Sequence, residues 1–156
     1  MGDEFLQTIE DHLWKRQVAS PGSIRGCSEE EIREIRQRLG HLPAAYVAFL
    51  RRMGRGAGEW FLGSDVFYPT CLELNAWAAE TLAEESNPPQ LPEDAVVFGM
   101  HQGYQFHFMV SSEGDDPPVY YYHEGGEGFE RVADSFSTLM IKCATGVPYK
   151  NDSNSK

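Results

Sequence analysis

Ala95-Val-Val-Phe-Gly-Met-His-Gln-Gly-Tyr-Gln-Phe-His-Phe-Met-Val110 is the stretch that decides the fold. Ala95 to Gly99 is a run of small and β-favouring residues, and Gln105 to Val110 alternates, with Phe106, Phe108 and Val110 facing one way. His101-Gln-Gly103 between them has the composition of a hairpin turn. Working outward, Val119 to His123 continues the meander as a third strand, and Gly125-Gly126 turns the chain into Phe129 to Val132. Upstream, Trp60-Phe-Leu62 and Val66-Phe-Tyr68 have strand composition and are separated by Gly63-Ser-Asp65. Thr70 with Glu73 makes a capping box that opens a helix through Leu74, Trp77, Ala78 and Leu82. Asn87 to Pro92 is a proline-rich loop.

The first 55 residues are helical in pattern. Phe5, Ile9 and Leu13 recur at four-residue spacing, with Leu6 broadening the stripe. Ser20-Pro-Gly-Ser23 breaks the chain. Ser28 and Glu31 form a capping box ahead of Ile32, Ile35 and Leu39, and Gly40 suits a left-handed helix end. Pro43 opens a short third helix with Tyr46, Phe49, Leu50 and Met53 on its buried side. At the other end, Asp134 or Ser135 caps a last helix that turns Phe136, Leu139, Met140 and Cys143 inward. The order predicts an α+β fold: an antiparallel or mixed β-sheet meander with helices packed on one face. One domain over residues 1–146 is expected, followed by a flexible tail over 147–156, which has too little apolar surface to order itself.

Charge is distributed unevenly. No Lys or Arg occurs between Gly56 and Glu130, whereas 14 of the 24 acidic residues fall there. That stretch carries −14 and its flanks +3, which gives the net −11 of the chain. A field of one sign attracts a cationic partner and speeds its encounter. The same balance counts against nucleic acid or an anionic membrane as direct partner. The N-terminus lacks the pattern of a secretory signal, and no apolar run is long enough to span a bilayer. Cys27, Cys71 and Cys143 are odd in number and widely spaced, as reduced thiols of a cytoplasmic protein would be.

Sequence signals for catalysis are weak. His101 opens the predicted turn and His107 and His123 fall on predicted strands, near Glu124 and the Asp115-Asp116 loop, but their spacing fits no compact zinc signature. Gly54-Arg-Gly-Ala-Gly58 follows a helix and lacks a Lys-Ser/Thr, so it is no phosphate cradle. No nucleophile elbow is present. The expectation is a protein without cofactor or metal, and not an enzyme; a small enzyme or metal-binding protein is the second alternative to a binding role.

Leu39-Gly40 followed by Leu42-Pro-Ala-Ala-Tyr46-Val-Ala-Phe49-Leu50 resembles the helix-pair signature of the SUKH superfamily, named for the Smi/Knr cell-wall-assembly regulators. Val97-Phe98-Gly99 through Gly103-Tyr104, Pro118-Val-Tyr-Tyr-Tyr-His-Glu124 and Val132-Ala-Asp-Ser135-Phe136 with Leu139 extend the resemblance in order. Tyr104 departs from it, since many members carry an acidic residue after the hairpin glycine. The resemblance implies a sheet with packed helices and, for bacterial members, immunity proteins that neutralise toxins. Fungal relatives are regulatory interaction proteins, which is the alternative role. No catalytic set comes with it.

Together these readings point to a monomer or weak oligomer that captures a basic protein, a toxin, with a nuclease as the class that charge suggests. The contact candidates are Asp115, Asp116, Glu124, Glu127 and Glu130 in the late strand-turn region, with Tyr104 and Tyr121 as aromatic anchors. Glu84, Glu85, Glu93 and Asp94 form a second acidic group across the proline-rich loop. Along Tyr120-Tyr-Tyr122 at least one ring faces away from the core unless both sheet faces are covered.

Overall fold

The computed structural model describes residues 3–146, and the tail expected over 147–156 lies outside them. Three helices come first. α1 (Glu4–Lys15) buries Phe5, Leu6, Ile9 and Leu13, the stripe its spacing predicts. α2 (Glu29–Leu39) opens with the expected box: the Glu31 N–H donates to Ser28 Oγ at 3.1 Å and the Ser28 N–H to Glu31 Oε1 at 3.0 Å. α3 (Ala44–Met53) starts after Pro43 and buries Tyr46, Phe49, Leu50 and Met53.

A five-stranded antiparallel sheet comes next, in spatial order β3 (Ser64–Asp65), β4 (Ala95–His101), β5 (Gln105–Val110), β6 (Val119–His123) and β7 (Glu130–Ala133). Between β4 and β5, Gln102 and Gly103 both take positive φ (56° and 81°), as a type I′ hairpin turn requires. α4 (Leu74–Ala83) lies along β4, where Asn75 occupies the strand's free edge by donating to the Ala95 carbonyl and accepting from the Val97 N–H. α5 (Phe136–Ala144) closes the domain, capped by Ser135, which accepts from the Thr138 N–H. The fold is thus α+β, its main sheet wholly antiparallel.

Four expectations need correction. The residues 60–62 and 66–68 are not strands; the pairing falls on Ser64–Asp65, which had the look of the linker. The aromatic run serves instead as a plug, with Trp60 stacked on Phe61 at 4.3 Å and Trp60 and Val66 buried. Second, a small sheet of β1 (Ile24–Arg25) and β2 (Gly56–Ala57) ties the entry of α2 to the exit of α3. Gly26 is obligatory there, because a Cβ would sit 1.9 Å from the Arg51 carbonyl oxygen. Third, Thr70–Glu73 is a 3₁₀ turn without a side-chain cap: Arg38 draws the Glu73 carboxylate away (3.3 Å), and Trp77 faces solvent at 36% exposure. Fourth, the sheet is covered on both faces. Phe106 and Phe108 on one side of β5 are buried, and so are His107 and Met109 on the other.

The core centres on Phe136. Its ring meets Phe5 (6.4 Å), Tyr46 (5.7 Å), Phe49 (5.9 Å) and Phe98 (5.1 Å), all edge-on, so one side chain ties α1, α3, β4 and α5 together. A second tie is ionic. Arg52 of α3 donates twice to Glu10 of α1, at 2.7 and 2.8 Å, and Glu10 is only 5% exposed. Removing the guanidinium strands a buried carboxylate. Arg52→Ala is expected to cost about 2–3 kcal/mol in urea unfolding. The double variant Arg52→Met/Glu10→Leu should recover most of that loss, and failure to recover it would locate the cost elsewhere.

Candidate functional site

The direction of β6 decides how the acidic residues are grouped. Asp115 and Asp116 precede that strand and Glu124 and Glu127 follow it, so they lie at opposite ends of the sheet, on the order of 15 Å apart. The other acidic group divides the same way. Asp94 sits beside the exit of β5, where its carboxylate accepts from the Ser112 N–H at 2.8 Å. Glu85 lies past the end of α4 and accepts from the Gly125 N–H at 3.2 Å. The structure therefore regroups both sets. Glu84, Glu85, Glu124 and Glu127 share the hairpin end, and Glu93, Asp94, Asp115 and Asp116 share the far end. The central acids do not form one continuous patch.

The two ends differ in what their carboxylates do. At the far end, Asp116 accepts from the Ser137 N–H (2.9 Å) and hydroxyl (2.5 Å), placing a negative charge on the first turn of α5. The Asp115 carbonyl accepts from the Ala45 N–H at the start of α3. Ser112 hydrogen bonds hold the Asp94 carboxyl below the usual carboxylate range. Glu113 accepts the Tyr120 hydroxyl at 3.0 Å. Asp94, Glu113 and Asp116 thus tie loops and a helix start to the sheet, while the Glu93 and Asp115 side chains are exposed.

At the hairpin end the carboxylates face outward. Glu84, Glu124 and Glu127 are exposed, and among the described residues their side chains make no hydrogen bond or ion pair. The backbone beneath them is fixed. The Glu124 N–H donates to the Tyr104 carbonyl at 2.7 Å, and Thr81 of α4 donates to the Gly103 carbonyl at 2.9 Å. Tyr104 is 39% exposed at the turn, its hydroxyl donating to Gln102 at 2.8 Å. Glu80, next to Thr81 and exposed, was not singled out by sequence. Periodicity gives a helix's faces, not which end of a sheet its last turn reaches.

Tyr121 does not present its ring to a partner. It is 6% exposed, packed on His107 at 4.9 Å, and its hydroxyl donates to Gln105 at 2.6 Å. Burial, with help from nearby Glu130 and Tyr104, raises its pKa above that of an ordinary tyrosine. Glu130, opposite Tyr121 on β7, is exposed beside the hairpin end. The covered second face removes the reason for an outward Tyr in the triple.

The histidines do not converge. His101 Nδ1 lies 3.1 Å from Ser64 Oγ, His123 Nδ1 lies 3.2 Å from the Glu124 carbonyl, and His107 is buried against Phe98 and Tyr121. Among the described residues, no three of His, Cys, Asp or Glu group to hold a metal ion. Burial pushes the Cys27, Cys71 and Cys143 thiols up to about 12, so none is a ready nucleophile at neutral pH. No helix among the described residues is long and apolar enough to cross a membrane.

The described residues thus form an α+β domain whose antiparallel sheet is covered on both faces and carries exposed carboxylates at its hairpin end. The chain belongs to the SMI1/KNR4 family (SUKH-1), which matches residues 26–142. Membership supports a protein-binding role of the immunity or Smi/Knr kind, in a family generally without enzymatic activity. A comparison with curated proteins finds no match.

Two expected outcomes separate structural from surface roles here. Asp116→Asn, which loses the charge on the α5 first turn, should cost about 1–2 kcal/mol of stability, whereas Asp115→Asn should stay within about 0.5 kcal/mol. Equal losses in chemical denaturation would refute the assignment. His107 supplies a pH test. Burial lowers its pKa from 6.5 to about 3, so the unfolded chain takes up a proton that the folded one refuses. Its contribution is complete above pH 6.5 and is lost as pH falls. From pH 7 to 5 the loss is about 2 kcal/mol, and His107→Gln should flatten that part of the stability profile.

Proposed function

We propose that the protein neutralises a toxin by binding its basic surface through the hairpin end of the sheet. The supporting observation is the set of outward carboxylates Glu84, Glu124 and Glu127, with Glu85 and Glu130 beside them, arranged around the exposed Tyr104 ring. Their backbone is held by the Tyr104–Glu124, Gly125–Glu85 and Gly103–Thr81 hydrogen bonds, so the charges are positioned before the partner arrives. A rigid aromatic ring amid steering charge is what a protein interface uses as an anchor.

Arg131, the base next to Glu130 on β7, pairs with Asp134 at 3.3 Å. Arg51, Arg52 and Arg55 pair with Glu29, Glu10 and Glu31 of the helical part, and Arg38 takes Glu73. A nuclease toxin fits such a surface, because its groove is basic in order to hold phosphates. Carboxylates seated in that groove would block substrate without any chemistry. The far-end acids Asp94 and Asp116, tied to Ser112 and Ser137, are assigned to the fold and not to the partner.

The reading is tested with the toxin recovered as the binding partner by pull-down and mass spectrometry. Glu124→Lys/Glu127→Lys should slow association about tenfold at low salt and leave unfolding within about 0.5 kcal/mol of the parent. Raising salt from about 20 to about 150 mM should narrow the gap between the two proteins. An association rate indifferent to both charge reversal and salt would sink the proposal.

A further inference from the structure

A cavity of about 70 Å³ lies between the β4–β5 strands and α5, walled by Phe61, Phe98, Met140 and Leu139 and reached by Gln105 and His107. Gly99 forms part of the wall, in register opposite His107. A glycine inside a strand weakens it, and one is kept where the backbone needs positive φ or where something approaches closely. Neither need arises from the protein itself at Gly99. Its φ lies outside the left-handed region, and a Cβ there would meet only Val66 Cγ2, at an ordinary 3.8 Å. The bulge between Val97 and Gly99 carries Phe98 as its extra residue and does not require a glycine either. What the missing side chain does is keep space open.

The lining sets the chemistry of an occupant. It contains no Asp, Glu, Lys or Arg. His107 within it is held neutral by burial. Apart from half-buried His101, which sits at the solvent side with Nδ1 3.1 Å from Ser64 Oγ, no lining group offers a counter-charge to offset an ion's desolvation, which favours an uncharged occupant. Half-buried Ser64, His101 and Gln105 mark the side toward solvent. Gln105 accepts the Tyr121 hydroxyl through Oε1, which leaves its amide N–H₂ to donate to an incoming oxygen. The volume sets the size. It is about half the roughly 150 Å³ that houses the six carbons of benzene.

We infer that this cavity binds a short, branched, uncharged aliphatic group of three or four carbons with one hydrogen-bond acceptor at its open end. A free short-chain alcohol carries that chemistry. So does a Val or Leu side chain of a protein partner, together with its own carbonyl. The inference stands apart from the acidic hairpin end and survives if that surface proves inert.

The test is an ¹H–¹⁵N NMR titration of the whole chain with 2-methyl-1-propanol and with N-acetyl-leucinamide, using isobutylamine as the charged control. Saturable shifts centred on Gly99, His101, Gln105 and Cys143 are expected with one or both neutral probes and not with the amine. Tighter binding of N-acetyl-leucinamide assigns the site to a protein partner's side chain; tighter binding of the alcohol assigns it to a free small molecule. Gly99→Val should weaken the neutral probes at least tenfold while raising the melting temperature by about 2 °C, because a strand glycine is replaced. Gly99→Ala, adding one methyl at a distance the structure accommodates, should fall between. No saturable shift with either neutral probe, or unchanged binding in both variants, overturns the inference.

Discussion

The seating of α5 on the sheet is the constraint on which the remaining elements rely. Two contacts at neighbouring positions achieve it. Phe136 inserts among Phe5, Tyr46, Phe49 and Phe98, and Ser137, one residue on, is held by the Asp116 carboxylate. The apolar contact has no orientation of its own beyond ring geometry, whereas the charge-assisted hydrogen bonds fix where the helix begins. Together they bring the last described element onto the first, since Arg16 after α1 donates to the Ala144 carbonyl at 2.8 Å at the end of α5. The loop before β6 is therefore part of the core's construction even though it is rich in Asp and lies at the surface.

The meander was legible because its signals are local. Alternation in β5, the Gln102–Gly103 turn and the triple Tyr of β6 each state a period or a left-handed position within a few residues. The capping box at Ser28 and the hydroxyl cap at Ser135 were legible for the same reason. Thr70–Glu73 shows where that logic ends. The pattern was present, but Arg38, 35 residues earlier, offered Glu73 a charge-assisted partner, and a local cap lost to a non-local one. Likewise the pairing of Ser64–Asp65 with Met100–His101 depends on the partner strand and not on β propensity in the Trp60–Tyr68 stretch.

The candidate site was half legible. Composition revealed the one-signed field and the turn revealed Tyr104, but proximity in sequence misled the grouping. Residues 116 and 124 are eight apart, and a strand between them makes eight residues a long distance; residues 85 and 125 are forty apart and in hydrogen-bond contact. Tyr121 failed as an anchor through a related ambiguity. Alternation assigns two faces to a strand and is silent on whether the second is wet, and here burial of both Phe106 and His107 answers it.

Charge segregation along the chain persists in space by a specific route. The helical third holds nine bases, yet Arg38, Arg51, Arg52 and Arg55 are each engaged by a carboxylate, three of them by acids of α1 and α2. The exposed pairs among them contribute little stability, unlike the buried Arg52–Glu10 pair. Their larger effect is positional: a guanidinium committed to Glu29 or Glu31 does not swing toward the hairpin end. Ion pairing within the helices and bare carboxylates at the hairpin are thus two aspects of one arrangement. Glu124 and Glu127 stay bare while the acids of α1 and α2 engage Arg51, Arg52 and Arg55 and Asp134 engages Arg131, the base next to Glu130.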